Sequence, residues 1–414
     1  MNNILRALNH RNYRLFFSGQ LVSLIGTWMQ QIAMSWLVYH LTNSAFMLGL
    51  ITFFSQIPSF ALSPFGGVFT DRWNKHKALI ITQTLSMIQA FIIAILTLTK
   101  VVQVWHIIVL SLMLGFINAF DMPIRQAFVI EMIEDRRDLG NAIALNSTMV
   151  NGARLFGPAV AGLLVAAVGE GMCFLINAIS FVAVIIALLF MKIKKPQIKI
   201  EGKNIFDDLK EGFKYSFGFI PTRDVFILIA IISLIGMPYT VLMPIFAKDV
   251  LKGGSDVLGF LMAASGVGAL IGGIFLANRK SVSGLGKIMA IATLIFGIAL
   301  VIFSLSKLLW LSIFILVFVG LGMILLVSAS NTFLQTITND EMRGRVMGYF
   351  AMAFVGISPF GSLIAGGLAN SIGAPYTLMI SGIIVIICSI IFYIRLPILR
   401  KFARPVYIKK GLIS

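Results

Sequence analysis

The chain has 414 residues, of which 58% are hydrophobic and only 12% are charged. In soluble domains about a quarter of all residues are charged, so this composition excludes an ordinary soluble fold. A soluble protein of this composition would also expose apolar patches larger than the few hundred Å² that monomers tolerate. The composition predicts a membrane protein, and the formal net charge of +17 needs an explanation in that setting.

Long apolar segments follow one another along the chain, and most of them are about 20 residues long. Such a segment crosses the ~30 Å hydrocarbon core of a bilayer at 1.5 Å per helical residue. We therefore predict an all-α polytopic membrane protein with about twelve transmembrane helices in two six-helix bundles. In chain order the spans are predicted at residues 13–40, 45–70, 78–99, 103–125, 141–168, 171–191, 223–249, 256–277, 286–305, 308–332, 344–369 and 374–396.

Basic residues are distributed unevenly between alternate loops. Of the 33 Lys and Arg residues, 28 fall on one side of the predicted membrane, 4 fall on the other, and Arg154 lies inside the fifth span. Cytoplasmic loops of membrane proteins carry such an excess. The pattern predicts a multi-pass protein of a bacterial-type cytoplasmic (inner) membrane with both termini in the cytoplasm. It also explains the positive charge without a nucleic-acid partner.

The longest hydrophilic segment divides the chain into two parts of similar size. We predict an N-terminal six-helix bundle at residues 1–191, a cytoplasmic linker at 192–222 and a C-terminal six-helix bundle at 223–414. The linker contains an amphipathic stretch suited to a membrane surface. Its apolar side is formed by Phe206, Leu209, Phe213 and Phe217.

An internal duplication supports this division. The fifth-span sequence Phe156-Gly157-Pro158-Ala159-Val160-Ala161-Gly162 has a counterpart 204 residues later in Phe360-Gly361-Ser362-Leu363-Ile364-Ala365-Gly366. A second match, Phe128 with Glu134-Asp135 and Phe333 with Asn339-Asp340, has an offset of 205. The chain is therefore interpreted as a six-plus-six repeat.

The loop after the second span carries the most specific motif. It reads Gly66-Gly67-Val68-Phe69-Thr70-Asp71-Arg72-Trp73-Asn74-Lys75-His76-Lys77. This sequence resembles the signature loop of the major facilitator superfamily. The resemblance implies a secondary transporter that works by alternating access, with Gly67, Asp71, Arg72 and Lys75 forming a gating loop. In that family the carboxylate meets the N-terminus of the eleventh helix, where unpaired N–H groups attract anions. The alternative is a solvated turn whose basic residues only fix topology.

The fifth span adds a second resemblance. Gly157, Pro158 and Gly162 form a pattern similar to the helix-bend motif of exporters in this superfamily, although Ala153 stands where that motif has a further glycine. The alternative is an ordinary packing kink. The segments Arg11-Asn12-Tyr13-Arg14-Leu15-Phe16 and Leu139-Gly140-Asn141-Ala142 resemble the siderophore-exporter and macrolide-efflux branch.

Polar residues inside the spans are the candidates for a transport cavity, because ionisable groups there are costly and tend to be functional. Asp121 lies on one helical stripe with Asn118 and Arg125. We expect Arg154 to reach toward Asp121 in a pair that a proton or an anionic substrate could break, and the alternative is a permanent structural ion pair. The full predicted cavity set is Arg154, Asp121, Asn118, Asn151, Gln31, Thr27, Gln20 and Asn331.

An enzyme is not expected. The four histidines lie at span ends or in loops without metal-ligand spacing, and no phosphate-binding glycine-rich loop precedes a lysine. No cofactor or metal is predicted. We expect a monomeric secondary exporter of an amphiphilic drug-like or siderophore-like molecule, with H+ as the coupling ion. However, Ser111 replaces the fourth-span arginine of many proton-coupled members. The alternatives are an uptake symporter, a lipid or lysolipid translocator of the same fold, or a non-transporting membrane receptor.

Overall fold

The computed structural model describes residues 3–62, 73–193, 205–279 and 281–410. Within those ranges every regular element is a helix. The side chains of 3, 4, 136, 151, 154, 155, 205–209, 340 and 409 lie outside the described set.

The described residues of the first half of the chain form five long α-helices. Three short 3₁₀ turns accompany them, at Asn3–Asn9, Val129–Met132 and Arg136–Asp138. The α-helices are α1 (Arg11–Thr42), α2 (Ala45–Leu62), α3 (Lys75–Leu98), α4 (Val104–Phe128) and α5 (Leu139–Leu189).

The second half contains shorter α-helices, some of which continue into π-helical turns. The α-helices are α6 (Ile205–Gly218), α7 (Ile220–Ile231), α8 (Tyr239–Ile245), α9 (Ser255–Ala277), α10 (Leu285–Leu305), α11 (Leu309–Ile337), α12 (Asp340–Ala351), α13 (Ser358–Ile372) and α14 (Ala374–Lys409). The π-helical turns are Ile232–Gly236, Phe246–Val250 and Met352–Gly356.

The described residues form eleven helical segments that are long and apolar enough to cross a membrane. Helix α5 has 51 residues, and its backbone leaves helical geometry at Gly169, where φ is 79° and ψ is 167°. A positive φ of this kind suits glycine, which has no Cβ to clash. The segments 139–168 and 170–189 are therefore two helices joined at Gly169, and counting them separately gives the twelve transmembrane helices predicted from the sequence.

The chain forms two compact units. Unit 1 contains Met1–Asn43, Ile51–Glu201 and Gly253–Ala263, and unit 2 contains Ser44–Leu50, Gly202–Lys252 and Ala264–Ser414. The first turns of α2 and α9 are thus grouped with helices distant in sequence. The division of the chain at residues 191 and 223 stays a prediction.

Each unit contains a close contact between two glycines that the internal repeat relates to a contact in the other unit. In unit 1, Gly162 of α5 lies against Gly259 of α9; a Cβ added at Gly162 would stand 2.6 Å from the Gly259 Cα. In unit 2, Gly366 lies against Gly49 of α2, and the equivalent distance is 3.1 Å. Helices approach this closely only where side chains are absent. The duplication seen in the sequence therefore recurs in the packing.

A buried apolar cluster joins the ends of α1, α3, α4 and α5 in unit 1. Its largest members include Tyr13, Phe16 and Phe128, and none of the three is more than 2% exposed. The Tyr13 hydroxyl donates to the Ala142 carbonyl at 2.8 Å, which satisfies the polar end of a ring buried among hydrocarbon. This cluster fixes the helices that carry the polar residues described next.

Helix α6 occupies part of the segment predicted to be a linker, and it packs on protein as well as presenting an apolar side. Gly212 lies against Arg345 and Tyr349 of α12, and the Phe213 ring contacts the Tyr349 ring at a centroid distance of 6.1 Å. Glu211 forms an ion pair with Arg345. The sequence alone placed this helix on the membrane surface, because amphipathic periodicity does not distinguish lipid from a neighbouring helix.

Candidate transport site

Asp121 is the centre of a buried polar cluster in unit 1. Its carboxylate is 1% exposed and accepts hydrogen bonds from the Thr82 hydroxyl and the Gln83 amide of α3, both at 2.7 Å. Arg125, one turn further along α4, forms an ion pair with the same carboxylate. Each of these partners is a donor, so the three together compensate the cost of burying the carboxylate.

Two atoms at the edge of this cluster lack a partner within the described residues. They are the Gln83 side-chain oxygen and the Arg125 Nε, and both are inaccessible to solvent. A buried polar atom without a partner costs free energy that the fold must recover elsewhere. The cluster therefore has unused acceptor and donor capacity beside its carboxylate.

The side chain of Arg154, the predicted partner of Asp121, is outside the described part of the structure. The backbone of Arg154 lies in α5, but its side chain and that of Asn151 are not among the described residues. Asn118, one turn before Asp121 on α4, is half-buried. The pairing of Arg154 with Asp121 therefore stays a prediction.

The polar residues of α1 separate into buried and exposed positions. Gln20 is 3% exposed, and its side-chain oxygen has no hydrogen-bond partner within the described residues. Thr27 and Gln31 are exposed, one turn apart, and the Thr27 hydroxyl donates to the Ser23 carbonyl at 2.9 Å. Thr27 and Gln31 thus have the accessibility that a cavity-lining pair needs.

A cluster of buried side-chain amides was not predicted from the sequence. The Gln30 amide donates to the Gln89 side-chain oxygen at 3.0 Å, and the Asn177 amide donates to the Gln30 side-chain oxygen. All three side chains are at least 95% buried. The cluster ties α1 to α3 and α5, which is a structural role. The signal for it was Gln30 beside Gln31 on α1, but periodicity alone did not show which glutamine faces the interior.

Unit 2 also contains paired polar side chains. Asn331 on α11 is half-buried and accepts a hydrogen bond from the Gln335 amide at 2.6 Å. The Tyr239 and Ser265 hydroxyls are 2.7 Å apart in the interior. Neither pair carries a charge.

Most of the predicted gating loop lies outside the described residues, including Gly67, Asp71 and Arg72. Lys75, the first residue of α3, forms an ion pair with Glu131 at 2.7 Å. Its amine is therefore held by the turn that follows α4. The gating role of this loop remains a proposal.

The residues of the fifth-span motif Gly157-Pro158 and Gly162 lie where α5 packs against other helices. Helical backbone angles continue through Pro158, and a Cβ added at Gly157 would stand 2.6 Å from the Trp28 Cβ. Gly162 makes the glycine contact with Gly259. The two glycines of the motif thus allow α5 to approach α1 and α9 closely.

A second buried carboxylate was missed. Asp224 of α7 is 6% exposed and receives two hydrogen bonds from Arg395 of α14, at 2.8 and 3.1 Å. The sequence pattern that could have indicated this pair is an acidic residue at the start of one apolar span and an arginine near the end of another.

Comparisons with known proteins place the chain in a family. The model of the transmembrane secretion effector family matches residues 3–404. The staphyloferrin A transporter of Staphylococcus aureus is 27% identical over 92% of this chain and 95% of its own length. Macrolide efflux protein A of Streptococcus pyogenes is 22% identical over 92% and 96%.

The fold agrees with solved transporter structures. A bacterial homologue of the human lysosomal transporter Spinster has a TM-score of 0.71 at 14% identity, over 95% of this chain and 98% of that one. At this identity the likeness concerns the fold alone. With the helical architecture and the family match over nearly the whole chain, it follows that this is a multi-pass membrane protein and a small-molecule transporter rather than an enzyme. The chain belongs to the transmembrane secretion effector family, in the siderophore and macrolide-efflux branch of the major facilitator superfamily.

Proposed function

We propose that this transporter exports an amphiphilic small molecule, drug-like or siderophore-like, in exchange for protons, and that it works as a monomer. The observation that carries the direction of transport is the similarity, over more than nine tenths of the chain, to a macrolide efflux protein. The Gly157-Pro158 motif in α5 supports the same direction. An uptake symporter and a lipid translocator of this fold are the competing functions.

The distribution of polarity supports an amphiphilic substrate. The proposed cavity set combines the charged cluster at Asp121 and the exposed pair Thr27 and Gln31 with the uncharged Asn331. A substrate with one polar and one apolar end matches such a set, because pockets orient a ligand with a few polar groups among apolar walls. Arg154, Asn118, Asn151 and Gln20 complete the proposed cavity set.

Proton coupling is assigned to Asp121. When its carboxylate accepts a proton, the charge attraction to Arg125 is lost, and one oxygen that accepted from Thr82 or Gln83 becomes a donor. The ion pair and hydrogen bonds would have to rearrange, which gives the protonated and ionised forms different preferred conformations. Arg154 takes part by competing with Arg125 for the same carboxylate or by holding an anionic group of the substrate.

The proposed membrane is the bacterial cytoplasmic membrane, with both termini inside. Reporter fusions after residue 200 and at Ser414 should report cytoplasm, and a fusion near Gly253 should report the outer side. An outward-facing Ser414 would contradict this topology.

Export is tested in everted membrane vesicles, where the cytoplasmic face is outward. We expect vesicles that contain the transporter to accumulate a radiolabelled macrolide or staphyloferrin A, depending on a proton gradient. A lipid translocator would move fluorescent lysolipid but neither solute. An uptake symporter would accumulate solute in right-side-out vesicles instead.

A further inference from the structure

The ion cluster around Asp224 opens into a cavity that the transport proposal does not use. The cavity has a volume of about 460 Å³ and lies between α7 and α14. Three charged residues line it, Arg223, Asp224 and Arg395, and the rest of its lining is apolar. The apolar residues are Ile227, Leu228, Ile231, Cys388, Ile391 and Phe392.

The charges are concentrated at one end of this cavity. On α7, Arg223 and Asp224 precede the apolar residues that line it, whereas on α14 Arg395 follows them. Since both helices therefore place their charges at the same end, the opposite end is hydrocarbon. The nine residues from Arg223 to Ile231 rise ~12 Å along the helix axis. Over that length the cavity changes from a polar end to an apolar channel.

The polar end carries a net positive charge. Arg395 neutralises Asp224 through two hydrogen bonds, and the Arg223 Nε stands 3.7 Å from the same carboxylate. Two guanidinium groups thus share one carboxylate, which leaves one positive charge. Both arginine side chains are 40% exposed, so they remain accessible to a ligand while Asp224 stays buried. An anion is the complementary ligand.

The apolar channel is open on the side of the helices that carries large exposed hydrocarbon side chains. Ile227 is 47% exposed and Ile391 is 53% exposed, whereas Leu228 and Phe392 form a buried floor. In a membrane-spanning chain, such exposed aliphatic residues on span helices face lipid. A small inorganic anion would leave this channel empty, but a phospholipid would place its phosphate on the arginines and an acyl chain along the isoleucines. Basic pockets between transmembrane helices bind anionic lipid headgroups in this way.

We propose that the cavity between α7 and α14 is a binding site for one anionic phospholipid, with Arg223 and Arg395 contacting its phosphate and the Ile227–Ile391 channel receiving an acyl chain. The site belongs to unit 2 and is separate from Asp121. It is independent of the direction of transport and of the coupling ion. Arg223 is the specificity residue, because Arg395 is also needed to neutralise Asp224.

Cys388 lines the channel and provides a direct probe. The purified full-length transporter in detergent is treated with N-ethylmaleimide, and alkylation of Cys388 is followed by peptide mass spectrometry, with the buried Cys173 as an internal reference. We expect phosphatidylglycerol to slow Cys388 alkylation by roughly fivefold relative to phosphatidylcholine, the factor that one arginine contributes near an anionic lipid.

Variants then separate head-group recognition from general charge. Arg223→Gln should abolish the preference for phosphatidylglycerol while leaving the Asp224–Arg395 pair intact. Ile227→Trp should fill the channel and remove protection by either lipid. Arg400→Gln, which removes an exposed arginine from α14 outside the cavity, is the matched control and should behave as wild type.

Four results would overturn the proposal. They are equal protection by phosphatidylcholine, equal protection by inorganic phosphate, protection by no lipid, and an Arg400→Gln variant that loses the preference as fully as Arg223→Gln does. The first excludes recognition of the headgroup and the second excludes the lipid. The third excludes occupancy of the channel, and the last attributes the effect to surface charge.

Discussion

The Gly162 contact gives the sharpest test of the packing. In Gly162→Ala, the added methyl group would stand 2.5 Å from the Ser255 carbonyl oxygen and 2.6 Å from the Gly259 Cα. Both are backbone atoms, so no side chain can rotate away and α5 and α9 must separate. Overpacking of this kind costs typically ~1–3 kcal/mol. Gly152→Ala is the matched control, since its added methyl group would meet no atom within 4 Å.

Both substitutions introduce alanine into the same helix, so both gain the same helix propensity of up to about 1 kcal/mol. Their difference in stability therefore isolates the contact. We expect Gly162→Ala to unfold at a lower temperature than Gly152→Ala in detergent, and to transport more slowly in vesicles. The repeat-related Gly366→Ala should show a smaller loss, because its methyl group would stand 2.7 Å from the Ala45 carbonyl oxygen. If Gly162→Ala and Gly152→Ala unfold at one temperature, the close approach of α5 and α9 is wrong.

Substitutions at Asp121, Asp71 and Arg154 test the polar residues, with Asp135 as a control. Asp121→Asn should fold but lose the dependence of transport on the proton gradient, measured in vesicles. Asp135→Asn is the control and should leave the pH profile of transport unchanged. The hydrogen bond from Arg137 lowers the pKa of the Asp135 carboxyl, which is therefore ionised across pH 5–8. Asp71→Asn should express normally and transport several-fold more slowly, because a carboxylate at a helix N-terminus contributes ~0.3–1 kcal/mol to the state that contains the contact; an unchanged turnover rate would exclude the gating role. Arg154→Met and Arg154→Lys should fold, as judged by size-exclusion profiles, and lose transport or its pH dependence; full activity of a well-folded Arg154→Met protein would remove Arg154 from the site.

The helical architecture could be predicted because its determinants are local. Apolar segments of span length and the small residues around Gly169 mark the helices and the junction between 139–168 and 170–189. The duplication was equally visible, since Gly162 and Gly366 occupy corresponding positions in the two repeats. Local composition therefore sufficed for the fold class.

Side-chain partners could not be predicted in the same way. Gln30 meets Asn177 across 147 residues and Asp224 meets Arg395 across 171 residues, and neither pairing leaves a local pattern. The choice between Gln30 and Gln31 as the buried residue depends on the rotation of α1 about its axis. That rotation is set by packing against α3 and α5, which the periodicity of one helix does not contain.

The polar residues on one face of α4 could be predicted in part. The spacing of Asp121 and Arg125 by four residues predicts that they share a face, and the structure shows the ion pair. The additional donors Thr82 and Gln83 come from α3, 39 and 38 residues away. Helical spacing thus revealed the charged pair but not the hydrogen bonds that make its burial possible.

The central claim is export driven by protons, and it is tested most directly by flux in proteoliposomes with an imposed pH difference. The purified transporter is reconstituted with a radiolabelled macrolide or staphyloferrin A outside, and uptake into the lumen is measured for molecules whose cytoplasmic face is outward. A lumen more acidic than the medium should drive accumulation of substrate and release of luminal protons, and Asp121→Asn should abolish the coupling. Equal accumulation with and without the gradient, or accumulation only when the gradient is reversed, would contradict proton-driven export.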